Sequence, residues 1–181
     1  MPAAPVQPGH CILSHGFESG PDATKVTALA EVAVRLGWTC ERPDYTDLDA
    51  MREAGELGDV AGRLERLLGL ARVAAARGPL VLAGSSLGAW ISARVSLEVP
   101  AAALFLLAPP VKMAPAPDMD TAAGVPVSIV HGWDDELIDA GEVAAWARTR
   151  RARLLLVDDG HRLSASVQES ADAFAALLAS L

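Results

Sequence analysis

The sequence predicts an α/β fold: a three-layer α/β/α sandwich around a doubly wound, mainly parallel six-stranded sheet. Short apolar runs bounded by Gly, Pro or Asp recur six times along the 181 residues, as buried strands require. Helix-period segments alternate with them through short links, which calls for parallel strands joined by right-handed crossovers. One run, Ala102 to Leu107, is continuously apolar, as expected of a strand covered on both faces.

The elements follow in order. Cys11-Ile12-Leu13-Ser14 is a short strand that ends at His15-Gly16-Phe17. After the loop Glu18–Pro21, Asp22 is placed to N-cap a helix carrying Val26, Leu29, Ala30 and Ala33, with Gly37 as its stop. Trp38 to Arg42 reads as the second strand, and Thr46 to Gly58 as a polar stretch with no assigned element. Val60, Leu64, Leu67, Leu68 and Ala71 mark the clearest amphipathic helix. Gly78-Pro79 ends it and introduces the third strand, Leu80 to Ser85. A helix from Leu87 to Leu97 and the fourth strand, Ala102 to Leu107, come next.

Pro109-Pro110 stop that strand, and Val111 to Gly124 is a Pro-, Met- and Asp-bearing connection too short for a domain. Val127 to Val130 is the fifth strand and leads into His131-Gly132-Trp133-Asp134-Asp135. A helix around Val143 to Arg150 precedes the sixth strand, Leu154 to Val157. Val167, Ala171, Phe174, Leu177 and Leu178 mark the final helix.

Composition narrows the function. Aromatics are only 4% of the chain against 51% hydrophobic residues, so Ala, Leu and Val must fill the core. A net charge of −8 argues against nucleic acid or anionic membrane as the main partner, since both attract basic surfaces. No apolar run approaches the roughly 18–20 residues that span a bilayer. Met1 to Gly9, Pro- and Ala-rich without a cationic or apolar signal region, reads as a flexible arm before a single domain, residues 10–181. Cys11 and Cys40 read as a reduced thiol pair in a cytoplasmic protein. Four scattered histidines without ligand spacing imply no structural metal.

The chemistry is carried by Gly84-Ser85-Ser86-Leu87-Gly88, a G-x-S-x-G between a strand and a helix. That turn holds a serine exposed at the carboxyl edge of a sheet. Only Ser86 has glycine at both −2 and +2, so it is the candidate nucleophile rather than Ser85. A serine nucleophile needs a base, an acid that orients the base, and donors for an oxyanion. His161, in the loop after the last strand, is the histidine that follows both a nucleophile and an acid. Asp134, Asp135 and Glu136 compete for the acid after the fifth strand. The order Ser, acid, His along the chain is the one this type of turn accompanies. Asp158 and Asp159 read as solvated, and either could substitute as the acid partner if the Asp135 loop points away. His15 and His131 read as turn residues, and His10 as part of the arm or of the first strand's edge. Trp90 reads as packing against the sheet.

In these pieces the sequence resembles the α/β-hydrolase superfamily over nearly its whole length. They are Ser14–Phe17 (SHGF), Gly84–Gly88 (GSSLG), His131–Ile138 (HGWDDELI) and Asp158–Leu163 (DDGHRL). The resemblance implies Asp135 as the acid, three residues after Gly132, and His161 as the base. It also implies the backbone N–H groups of Phe17 and Leu87 as oxyanion donors. The chain lacks room for the antiparallel leading strands and helical lid of many members. It is most similar to small lidless bacterial carboxylesterases and acyl hydrolases, a minimal core with no cap domain.

An open site of that kind implies short or exposed acyl groups and modest specificity. Trp133, Met113 and Leu137 are the expected substrate-binding residues, with Phe17 and Leu87 as further apolar walls. The expected substrate is a small-molecule ester or thioester, and no cofactor is implied. Thioesterase, peptidase or carbon–carbon bond hydrolysis on the same residues stay open, as does a non-enzymatic interaction protein retaining the fold. A homodimer through an edge strand or the Ala- and Leu-rich helices also stays open.

Overall fold

A computed structural model describes residues 9–53 and 56–181 of the chain. Its elements are β1 (His10–Ser14), α1 (Thr24–Arg35), β2 (Thr39–Glu41), α2 (Thr46–Asp49), α3 (Val60–Ala75) and β3 (Leu80–Ser85). They continue with α4 (Leu87–Val95), β4 (Ala103–Leu107), β5 (Val127–Gly132), α5 (Ala140–Arg150), β6 (Arg153–Val157) and α6 (Val167–Leu178). The six strands form one sheet in the order β2-β1-β3-β4-β5-β6, and every neighbouring pair is parallel. The chain winds outward from β1 to β2, returns to lay β3 on the other side of β1, and then runs on to β6. The winding direction therefore reverses between β1 and β3, and the crevice above such a reversal is where open α/β sheets bind ligands.

Period-two alternation splits the strands between two cores. Ile12, Leu80, Leu82, Leu104, Leu106 and Ile129 face a cluster with α3, α4 and α5. Cys11, Leu13, Val81, Ala83, Phe105 and Val130 face the cluster under α1 and α6. There the rings of Phe105 and Phe174 meet at 5.0 Å and 51°, a tilted pair worth about 0.5–1.5 kcal/mol beyond its buried area. Every residue of β3, β4 and β5 is buried, whereas the edge strand β6 is partly exposed. This is the expected three-layer sandwich, with no cap domain.

Several local expectations are corrected. Helix α1 has Ala23 at its N-cap position with no side-chain cap; Asp22 instead pairs with Arg42 at 3.3 Å. The stop at Gly37 holds, because its φ of +81° is a left-handed conformation that glycine adopts without penalty. A short helix, α2, stands inside the stretch that shows no periodicity in sequence, since four residues are too few to display one. The alternation of strands and helices is broken twice: α2 and α3 both lie between β2 and β3, and β4 passes to β5 through the Pro-rich link without a helix.

Residues 1–8 of the expected arm lie outside the described residues. Gly9 is part of the sheet edge: it is buried, and its carbonyl accepts the N–H of Thr39 at 3.2 Å. His10 opens β1 and bonds Thr39 Oγ1 through Nδ1 at 2.8 Å. Cys11 and Cys40 are free thiols facing one another across β1 and β2. No helix among the described residues is long and apolar enough to cross a membrane.

Candidate active site

Strand β3 delivers Ser86 at the winding reversal, and the residues around it dictate an abrupt turn. Ser86 has φ 52° and ψ −119°, a conformation costing about 1–3 kcal/mol that survives only where neighbours enforce it. Its N–H donates to Leu107 O at 2.8 Å, and its own carbonyl accepts from Ala89 N at 2.9 Å. The flanking glycines are required by space. A Cβ on Gly84 would stand 2.2 Å from Gly88 O, and one on Gly88 would stand 2.2 Å from Ser14 O. Ser86 thus sits, half-buried, at the N-terminus of α4, where unpaired N–H groups and the helix dipole favour negative charge.

His161 and Asp135 converge on it from β6 and β5. His161 Nε2 lies 3.0 Å from Ser86 Oγ, and its Nδ1 lies 2.8 Å from Asp135 Oδ2. An ionised carboxylate only accepts, so Nδ1 carries the proton and Nε2 presents its lone pair to the serine hydroxyl. Asp135 has no exposed side-chain surface. Its second oxygen accepts the N–H groups of Leu137 at 2.9 Å and Ile138 at 2.8 Å. Phe17 N and Leu87 N have no acceptor among the described residues, which leaves both free beside the serine.

The three competing acids divide by what they touch. Asp135 holds the ring of His161. Glu136 Oε2 accepts the backbone N–H of His161 at 3.1 Å, and that bond holds the Glu136 carboxyl below its ordinary range. The Asp134 carboxylate has no hydrogen-bond partner among the described residues.

Asp159 departs from its expected solvated role. It accepts Gly160 N at 2.8 Å through Oδ1, and Ala165 N and Ser166 N at 2.9 and 3.0 Å through Oδ2. Desolvation pushes its carboxyl up, but these N–H groups outweigh that and leave it lowered. The loop bearing His161 is wrapped around this one side chain. Lys25 ties the loop from outside by donating to Arg162 O at 2.7 Å; burial lowers that amine to about 8.

His131 and His15 are buried structural histidines, consistent with their turn positions. His131 Nε2 donates to Ile138 O at 3.0 Å and lies 3.5 Å from Asp135 Oδ2. Burial lowers its pKa, and its Nδ1 has no partner among the described residues. His15 Nε2 accepts Tyr45 N at 3.0 Å and its Nδ1 donates to Gly16 O at 2.8 Å; burial lowers its pKa too.

The sequence reading overlooks a buried charge beside this turn. Arg63 is fully buried and forks onto Asp49, with Nε to Oδ1 at 2.7 Å and Nη2 to Oδ2 at 2.6 Å. The available signal was its position: it occupies the inward stripe of α3 with Val60, Leu67, Ala71 and Ala74, where an unpaired arginine would be prohibitive.

The expected substrate walls are unlike one another. Trp133 and Leu137 are 61% and 71% exposed, whereas Met113 is 8% exposed and packs within the core. Phe17 carries the Arg52 guanidinium over its ring at 4.7 Å. Trp90 is buried and donates from Nε1 to Pro117 O at 3.1 Å, which is the packing role expected of it. A hollow of about 240 Å³ at residues 121–127 and a groove of about 380 Å³ between α3 and α4 include none of the residues converging on Ser86. Among the described residues no cluster of His, Cys, Asp and Glu could hold a metal ion.

A doubly wound parallel sheet with a strained strand–turn–helix serine at its winding reversal defines the α/β-hydrolase type of fold. The chain is 70% identical to a protein from Xanthomonas campestris pv. campestris assigned to the α/β superfamily of hydrolases. That match covers 96% of this chain and 99% of the other, with a TM-score of 0.93. The chain belongs to the α/β-hydrolase superfamily.

The fold is shared more distantly with a lidless α/β serine hydrolase from Xanthomonas campestris, at 24% identity and TM-score 0.75 over 96% of this chain and 82% of that one. It is also shared with an α/β serine hydrolase homologue from Coxiella burnetii, at 24% identity and TM-score 0.72 over 94% and 85%. No family model matches the chain, and no curated protein does.

Proposed function

We propose that this protein is a serine hydrolase that cleaves carboxylic esters with short or exposed acyl groups through an acyl-enzyme on Ser86. The observation that carries this reading is the unbroken line from Ser86 Oγ through the His161 ring to Asp135, at 3.0 and 2.8 Å. Ser86 Oγ attacks the ester carbonyl while His161 Nε2 takes its proton. The carbonyl oxygen becomes an oxyanion facing the N–H groups of Phe17 and Leu87, with the positive end of α4 behind it.

His161 then returns the proton to the leaving alkoxide, and the acyl group stays on Ser86. Water enters and attacks the acyl carbon while His161 takes its proton; the bond from that carbon to Ser86 Oγ then breaks, His161 returns the proton to Oγ, and the acid leaves. Asp135 fixes the tautomer of His161 and stabilises the imidazolium without taking the proton itself. Trp133 and Leu137 offer exposed apolar surface for the acyl or alcohol group. With no lid, little remote binding energy is available, so discrimination between acyl chains is shallow.

A fluorophosphonate probe tests the nucleophile: wild type should be labelled and Ser86→Ala should not, and equal labelling would overturn the assignment. Parallel p-nitrophenyl ester and acyl-thioester series then fix the leaving group. Turnover of thioesters alone would replace esterase by thioesterase.

A further inference from the structure

The Gly16–Phe17 peptide is held by its carbonyl from beneath. A trans peptide is planar, with its C=O and N–H pointing in opposite directions. Gly16 O accepts His15 Nδ1 at 2.8 Å and Arg63 Nη2 at 3.2 Å, so both lone pairs are engaged. The N–H of that same peptide belongs to Phe17 and has no acceptor among the described residues. Arg63 Nη1 also holds the preceding carbonyl, His15 O, at 3.0 Å. One rigid guanidinium therefore pins two successive carbonyls of the turn that leaves β1.

The guanidinium is itself fixed on all sides. Asp49 at the end of α2 takes it in a bidentate pair, and the Tyr45 ring lies 4.6 Å beneath its carbon. Tyr45 is fixed in turn by its hydroxyl, 3.0 Å from Ser14 Oγ. The turn lies directly against the elbow: a Cβ on Gly16 would stand 3.2 Å from Ser85 O and 3.5 Å from Ser86 Cβ.

Stability alone gives no reason for this arrangement. Replacing a buried ion pair with well-packed apolar residues is often neutral or stabilising, because desolvation offsets the attraction. The contacts to His15 O and Gly16 O are what an apolar pair could not reproduce. A cation bound to a carbonyl draws electron density from the amide nitrogen and makes its N–H a stronger donor, an effect enlarged where water is excluded.

We infer that Arg63, seated by Asp49 and assisted by His15, is a positioning residue for the oxyanion hole: it grips the Gly16 carbonyl and thereby aims and polarises the Phe17 N–H toward the carbonyl attacked by Ser86. This rests on the acyl-transfer reading above.

The test compares wild type, the double variant Arg63→Met with Asp49→Leu, which strands neither charge, and Arg63→Lys, which keeps the charge and loses the fork. The Phe17 backbone amide is followed by NMR in the substrate-free protein, and its resonance should shift in both variants. With p-nitrophenyl butyrate, kcat should fall about 10- to 100-fold in the double variant while KM stays within about threefold. Inhibition by an alkyl trifluoromethyl ketone, which forms a tetrahedral oxyanion on the serine, should weaken by the same factor. Arg63→Lys should fall between the two proteins.

A variant with a lower melting temperature but an unmoved Phe17 amide, kcat and ketone affinity would overturn the inference. If the double variant does not fold, Arg63→Lys carries the same readouts. If wild type turns over no acyl substrate, the proposed function falls, and the amide resonance alone decides whether Arg63 orients this peptide.

Discussion

His131 and His161 approach the same oxygen of Asp135, at 3.5 and 2.8 Å, one from the end of β5 and the other from the loop after β6. Only His161 can reach the serine. His131, four residues before Asp135, is enclosed, and a proton added at its Nδ1 would find no acceptor among the described residues.

That enclosure makes folding stability pH-dependent. Burial lowers the folded-state pKa of both His131 and His15, so both are neutral when folded. Unfolded, each takes up a proton below about pH 6.5. The unfolded state then binds more protons, so stability falls as pH drops through that value and goes on falling toward the folded-state pKa. His131→Gln, which keeps a donor for Ile138 O, should flatten the dependence of melting temperature on pH in this window. An unchanged slope would place the acid sensitivity elsewhere.

The elbow glycines should be intolerant of a methyl group. Gly88→Ala would set a Cβ 2.2 Å from Ser14 O, and overpacking of this kind costs about 2–4 kcal/mol. Gly69 offers the contrast: it lies within α3 with nothing within 4 Å of a Cβ. Gly69→Ala should stabilise by about 0.5–1 kcal/mol through helix propensity. Urea denaturation of the two variants measures both effects.

The acids of the β5 loop should separate on an ester series. Asp135→Asn should lower kcat by roughly 10⁴-fold, because an amide no longer fixes the working tautomer of His161. Asp134→Asn should leave kcat within about threefold, since its carboxylate holds nothing. If the Asp134 change costs more, the acid is misassigned.

Asp159 should matter to the His161 loop without touching the serine. Asp159→Ala frees three N–H groups, and losing caps of this kind costs about 1–2 kcal/mol. Its lowered carboxyl pKa means the contribution is present above about pH 4 and is lost as pH falls below it. Melting temperatures of wild type and variant should therefore converge in acid, and a constant gap would contradict the capping role.

Much of this molecule is written locally. Six apolar runs, their glycine and proline boundaries and the helical stripes are short-range patterns, so strands β1 to β6 are legible within a residue or two. Helix α2 is not, because a four-residue helix shows no period.

Ser86 could be singled out from Ser85 by register, since the turn tolerates no side chain two residues to either side. Whether His161, 75 residues away, would reach it could not be read from periodicity. The strand order decides that, by bringing the ends of β3, β5 and β6 to one edge of the sheet. The same holds for Arg63. In sequence it is one charge on an otherwise apolar stripe, and only the packing of α3 against the turn after β1 gives that charge an aspartate, an aromatic ring and two carbonyls to bind. The chain's local chemistry fixed its elements and its serine turn. Burial and strand order, which depend on residues far apart in the chain, decided which polar side chains meet.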